Sequence, residues 1–311
     1  MKYLYGPVPS RRLGVSLGID LIPYKICSFN CIYCECGETT NLTNKREEFK
    51  PVDLIIEELD EYLKKKPELD YITFSGSGEP TLYKAMGKII DYLKENYSEY
   101  NLALLTNSSL LIDKKVRNEI KDIDLIVPSL DSVLEENFEK INRPHKDIQL
   151  NQIIDGLIEF SKVYDGKMYL EVFIVPGIND TNEEFKKLKN IIEKIQPNRV
   201  QFNTLDRPGT EEWVEPASEE KLKEALDIIG KKAEIIGRYD SDTDKKSIDR
   251  TVKEKIIDII KRRPCTVRDL SNIFDLHVNE VNKYLRELDK EHDLKIKNEK
   301  RGRFYFFSEE E

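Results

Sequence analysis

Tyr71-Ile72-Thr73-Phe74-Ser75-Gly76-Ser77-Gly78-Glu79-Pro80-Thr81 runs from a short β-branched and aromatic stretch into a turn of glycine and proline, and residues 85–96 beyond it place apolar side chains three and four apart. Strand, turn and one-faced helix make a βα unit. The unit recurs on both sides. Strands are predicted over 14–20, 102–106, 124–129, 168–175, 200–203 and 233–236, with helices over 53–65, 134–141, 151–164, 182–195 and 218–229. Six or seven such units with right-handed crossovers predict an α/β fold, a partial (β/α)6-type TIM barrel, with the loops at the strand C-terminal ends forming the site. An open doubly wound sheet is the competing architecture.

The pattern changes after a polar break, taken as a linker over 241–249. Helices are predicted over 252–262, 266–274 and 279–290, the second opening on a capping box from Thr266 to Asp269, and a hairpin over 294–307 turns at Gly302. Three helices and a hairpin predict a small α+β winged helix-turn-helix domain over 250–311, after a barrel domain over 1–240.

Of 311 residues, 39% are hydrophobic and 35% charged, with a net charge of −9. No apolar run approaches the roughly 18 residues of a membrane helix, and the polar start has no signal-peptide core, so a cytoplasmic protein without membrane contact is expected. The 15 basic and 13 acidic residues of 250–311 make that segment +2 and leave 1–249 at −11. An acidic body has no general attraction for phosphate backbones, so nucleic-acid contact would need a local patch such as Lys300, Arg301 and Arg303. The predicted third helix mixes both signs, where a specific DNA reader usually shows a basic footprint.

Four of the five cysteines fall within ten residues. Cys27-Ser28-Phe29-Asn30-Cys31-Ile32-Tyr33-Cys34 follows the first strand, and three thiolates spaced C-x3-C-x2-C can wrap three corners of a 4Fe–4S cubane, leaving one iron open to a small molecule. Tyr33 would shield such a cluster from water. Cys36 is either a fourth thiol near it or a plain loop residue, and Cys265 is expected to be a buried structural thiol. His277 and His292 have no partners at metal-site spacing.

This triplet, with an aromatic before its last cysteine, resembles the hallmark of the radical S-adenosylmethionine (SAM) enzymes, a resemblance that covers roughly residues 1–240. It implies that Cys27, Cys31 and Cys34 ligate the cluster, that SAM chelates the open iron, and that reductive cleavage gives a 5′-deoxyadenosyl radical for hydrogen abstraction. It also implies a one-electron donor of flavodoxin or ferredoxin type. Gly76, Ser77, Gly78 and Glu79 resemble the family's glycine-glutamate-proline motif, where glycines let the backbone approach SAM and Glu79 with neighbouring carbonyls can accept from its ammonium. Asn107, Ser129 and Asp131, at later strand ends, resemble positions that contact the methionine carboxylate and ribose, and 175–180 resembles the adenine-packing segment. The glycine- and proline-rich opening 5–18 resembles a subgroup likened to wyosine-type tRNA synthases, although archaeal members carry a second cysteine set and only Cys36 and Cys265 are spare here. Arg11, Arg12, Arg143 and Arg207 are candidates for holding an anionic substrate or the SAM carboxylate, because a guanidinium fork matches carboxylate and phosphate; the bland alternative is pairing within the acidic body.

The leading reading is therefore a radical SAM oxidoreductase or transferase of unidentified substrate, RNA or tRNA included, with RNA, DNA or protein as alternative partners of the winged helix. The rival is a DNA-binding regulator whose cysteines sense iron, redox state or zinc, although zinc sites usually come as two separated pairs.

Overall fold

The computed structural model describes residues 2–10, 12–236, 252–274, 276, 278–291 and 294–307. Arg11, His277, His292 and the linker expected over 241–249 lie outside the described residues.

Two strands open the chain, β1 (Leu4–Ser10) and β2 (Gly14–Ile19), paired antiparallel. The loop after β2 holds two very short parallel strands, β3 (Ile26–Cys27) and β4 (Asn41–Leu42), and leads into helix α1 (Val52–Leu63). Then come β5 (Tyr71–Phe74), α2 (Met86–Asn96), β6 (Asn101–Thr106), α3 (Lys114–Ile120), β7 (Leu125–Pro128), α4 (Glu135–Asn142) and α5 (Leu150–Ser161). The series ends with β8 (Lys167–Phe173), α6 (Asn182–Ile195), β9 (Arg199–Asn203), α7 (Glu219–Ile229) and β10 (Ala233–Ile235).

The sheet order is β1-β2-β5-β6-β7-β8-β9-β10, parallel at every pair from β2 onward. A doubly wound sheet needs an order that reverses, and this one never does. Right-handed crossovers that step one way put the helices on one face, so the sheet curls into a partial barrel that ends at β1 and β10. The period of two along the strands sorts the side chains. Leu104, Ile126, Leu170 and Phe202 join the core under the helices, while Ala103, Leu125, Val127 and half-buried Tyr169 meet Leu13 in a separate apolar plug inside the barrel. Above the plug the interior turns polar, and the site opens there.

Local chemistry explains several boundaries. Thr181 caps α6 by accepting from the Glu184 backbone N–H at 3.2 Å, and Phe185, Leu188, Ile192 and Ile195 bury its inner face. The reciprocal bond of a capping box is not made. The Glu184 carboxylate, 1% exposed, instead accepts from Ser132 Oγ and the Val133 N–H, each at 2.8 Å, fixing the loop after β7.

Beyond residue 251, α8 (Val252–Arg262), β11 (Cys265–Thr266), α9 (Val267–Phe274), α10 (Val278–Glu291), β12 (Leu294–Glu299) and β13 (Gly302–Phe307) surround their own core of Ile256, Ile260, Cys265, Leu270, Leu285 and Leu288. The capping box at α9 is complete: Thr266 N–H and Oγ donate to Asp269 Oδ2 at 2.8 and 2.9 Å, and the Asp269 N–H returns to Thr266 Oγ at 3.1 Å. Gly302, at φ +139°, turns the hairpin. This unit packs on the barrel. Val8 of β1 enters its apolar cluster, Arg262 pairs with Asp20 at 2.5 Å, and Lys300 and Arg301 pair with Glu215 and Asp206 at 2.5 and 3.4 Å. No helix among the described residues is long and apolar enough to cross a membrane.

Candidate active site

The cysteine loop is anchored to two neighbours. Toward the glycine-glutamate turn, the Lys25 N–H donates to the Ser77 carbonyl at 3.2 Å and the Glu79 N–H to the Ile26 carbonyl at 3.3 Å. A Cβ at Gly78 would strike that same Ile26 carbonyl, and one at Gly76 would strike the Asp20 carboxylate, so both positions demand glycine for close approach. Toward α4, the Asn30 N–H reaches the Asn142 carbonyl at 3.0 Å and the Ile32 N–H the Ile141 carbonyl at 2.9 Å. The turn at 76–79 thus lies directly on the strand that delivers Cys27.

The three thiols are half-buried and within one another's electrostatic reach. Each has an N–H donor beside it: Lys25 Nζ at 3.1 Å from Cys34 Sγ, Asn142 Nδ2 at 3.4 Å from Cys31 Sγ, and Asn107 Nδ2 at 3.6 Å from Cys27 Sγ. Burial, with the nearby Glu79 charge, pushes the Cys27 thiol up to about 12, and burial with Asp131 raises Cys31. Cys34 goes the other way, because the Cys36 thiol donates to it and Lys25 stands over it; the same hydrogen bond raises Cys36. Cys36 is therefore a fourth thiol beside the triplet. Among the described residues no three His, Cys, Asp or Glu side chains gather as a shell for a single ion. Three thiols on one loop, each faced by an N–H donor, fit the thiolate corners of a cubane cluster, whose sulfurs need such donors.

The Glu79 carboxylate, 2% exposed, is already engaged. Oε1 accepts from the Thr81 N–H at 3.0 Å, Thr81 Oγ at 2.6 Å and Thr106 Oγ at 2.7 Å, while Oε2 accepts from the Asn107 N–H at 2.7 Å. It braces the turn against the end of β6, and the acceptors that remain for an ammonium are backbone carbonyls. Ser129 contributes its carbonyl to Ser108 Oγ at 2.8 Å. Asp131, raised to about 6 by burial, accepts from Tyr33 Oη and Asn142 Nδ2, each at 2.6 Å, and from the Phe173 N–H at 2.9 Å. Tyr33 also stacks on Phe173, with ring centroids 3.7 Å apart. In the segment resembling an adenine-packing stretch, Asn179 is locked inward by the Val175 N–H and by the Asp131 and Phe173 carbonyls.

The described candidate arginines all have carboxylate partners. Arg12 forks onto Glu171 at 2.9 and 2.8 Å, Arg143 meets Glu211 at 2.5 Å, and Arg207 meets Glu35 at 3.1 Å. Arg12 and Arg207 nevertheless line a cavity of about 250 Å³ beside Cys36 and Gly76. Arg143 sits apart from it, closing α4 in the left-handed region at φ +43°. Lys25, 2% exposed, and Asn142 carry no signal in the sequence beyond their neighbourhood, and the fold alone brings them to the sulfurs.

Comparison with known proteins agrees with this geometry. The chain is 35% identical over 297 residues to the UPF0026 protein MJ1312 of Methanocaldococcus jannaschii, covering 92% of this chain and 91% of that one. It is 38% identical over 289 residues to a protein named GTPase Obg in Brachyspira hyodysenteriae, of which it spans only 42%. The fold matches a radical SAM methyltransferase from Sphaerobacter thermophilus with a TM-score of 0.55 at 16% identity, over 71% of this chain and 66% of that one. Residues 21–192, more than half of the chain, match the Radical SAM superfamily, whose members use a 4Fe–4S cluster and SAM; this chain belongs to that superfamily.

Proposed function

We propose that this protein binds a 4Fe–4S cluster through Cys27, Cys31 and Cys34 and cleaves SAM reductively for hydrogen abstraction from a bound substrate. When bound, the cluster and SAM together supply an electron and a 5′-deoxyadenosyl radical. The observation that carries the reading is the glycine turn at 76–79 lying against the strand that ends in Cys27, with donors aimed at all three sulfurs. The chain's own residues do the rest: Lys25, Asn107 and Asn142 stabilise thiolate charge, while Gly76 and Gly78 let the turn close on Asp20 and on the Ile26 carbonyl, which sets its backbone beside the cysteines for SAM. Asp131, whose carboxylate is held by Asn142 and the Phe173 N–H, is the acceptor we assign to a ribose hydroxyl.

The helix order beyond residue 251 supports a winged helix-turn-helix, which we read as a cover for the barrel mouth rather than a nucleic-acid reader. Of the five cations on its hairpin, Lys297 pairs with Glu212 and Glu299, Lys300 with Glu215, and Arg301 with Asp206 and Asp269. Electrons would come from a flavodoxin or ferredoxin. The test is anaerobic reconstitution followed by dithionite and SAM: 5′-deoxyadenosine should form, and the Cys27/Cys31/Cys34→Ala triple variant should form none. Equal product from both proteins would defeat the reading.

A further inference from the structure

The cavity beside Cys36 and Gly76 lies between the two parts of the chain: Ser16, Thr73 and Ser75 come from β2, β5 and the end of β5, and Ile259, Arg262 and Arg263 from α8 and its end. Four arginines line it, and they are not equivalent. Arg12 is held by Glu171, and Arg262 is held by Asp20 and lies over the Tyr5 ring at 4.4 Å. Arg263 has no carboxylate partner among the described residues. Arg207 meets Glu35 at 3.1 Å and, more distantly, Asp206 at 4.0 Å, both through Nη1; its side chain is 5% exposed, and its buried Nε has no hydrogen-bond partner among the described residues. The two carboxylates on the cavity wall, Glu35 and Asp269, are themselves paired with Arg207 and Arg301. A buried N–H donor without an acceptor is costly, and guanidinium groups select planar or tetrahedral oxyanions.

Resting on the radical SAM reading above, we propose that this cavity is the substrate site and that the substrate is a small oxyanion, a carboxylate or phosphate compound gripped between Arg207 of the barrel and Arg263 of the C-terminal unit. At about 250 Å³, just below the usual range of small-molecule pockets, it has room for a small metabolite and not for a polynucleotide, and Ile259, Arg262 and Arg263 wall it on one side. The barrel alone therefore carries half a substrate site.

The test uses the reconstituted holoenzyme with saturating SAM and calorimetric titration of phosphate, pyrophosphate and succinate, so that the SAM site is filled before the probe is added. At least one probe should bind, and Arg263→Met should weaken it at least tenfold. Arg263→Lys should give a smaller loss, because the charge stays and the fork is lost, and Arg303→Met on the exposed hairpin should change nothing. The preference between phosphate and succinate identifies the anion class. Binding of no probe, equal binding by Arg263→Met, or displacement of the probe by a short RNA would overturn the proposal. So would a tenfold loss of SAM affinity in Arg263→Met with probe binding intact, which would give the arginine to SAM. Should Arg263→Met fail to fold, the Arg263→Lys titration decides alone. Anion binding without any 5′-deoxyadenosine would strike the radical chemistry and not the anion site.

Discussion

At the scale of single residues, the side chains that matter most to the cysteines come from other parts of the chain or have no motif of their own. Lys25 places a buried ammonium 3.1 Å from Cys34 Sγ. A positive donor at a ligand sulfur favours the reduced, more negative cluster, so Lys25→Met should shift its reduction potential downward. A charged hydrogen bond of about 1.5–3 kcal/mol corresponds to roughly 60–130 mV for one electron. Potentiometric titration of the reconstituted protein checks this, and an unchanged potential would remove Lys25 from the account. Glu79 is the second case. Gln offers one acceptor oxygen where the carboxylate serves four donors, so Glu79→Gln should lower stability by about 2–3 kcal/mol in denaturant unfolding. The triplet itself was legible from its spacing. Lys25, Asn142 and the partners of the candidate arginines were not, because contacts such as Arg207 with Glu35 join residues 172 apart, which no local pattern encodes.

At the scale of elements, the parallel strands were readable because each is a short β-branched run before a turn, and the order of those runs is the order of the sheet. Strand β1 was hidden. Gly6, Pro7 and Pro9 argue against a helix and give no strand signal, and an antiparallel edge position is what lets such a segment join a sheet. Helix α3 was missed because seven residues with only Val116 and Ile120 buried give too little periodicity to see, and β11 is two residues long. The turn at 76–79 belongs to this scale, since its role is to hold two elements in contact. A methyl at Gly78 meets the backbone carbonyl of Ile26 and must push the turn off the cysteine strand. Gly78→Ala should therefore weaken SAM binding at least tenfold while iron and sulfide still assemble. Equilibrium binding of SAM beside metal analysis checks both halves, and normal SAM affinity would contradict the role given to the turn.

At the scale of the whole molecule, two separate cores are tied together across the barrel mouth by charge and by one apolar contact from β1. Arg262 is the most connected of these ties, pairing with Asp20 at the end of β2 while its guanidinium lies over Tyr5, whose hydroxyl meets Ser75 Oγ at 2.5 Å. Arg262→Met should leave each core folded but loosen the cover, so that cluster bleaching in air speeds up several-fold. Absorbance decay of the reconstituted protein measures this, and an unchanged rate would mean that the C-terminal unit does not guard the mouth. The account as a whole requires three protein sulfurs and one iron left for SAM. Electron–nuclear double resonance of the reduced protein with SAM labelled by 17O in its carboxylate tests that requirement most directly. Hyperfine coupling to the label, surviving in Cys36→Ala, is the predicted result; no coupling in the wild-type protein, or a cluster that needs Cys36 as a fourth ligand, would contradict it.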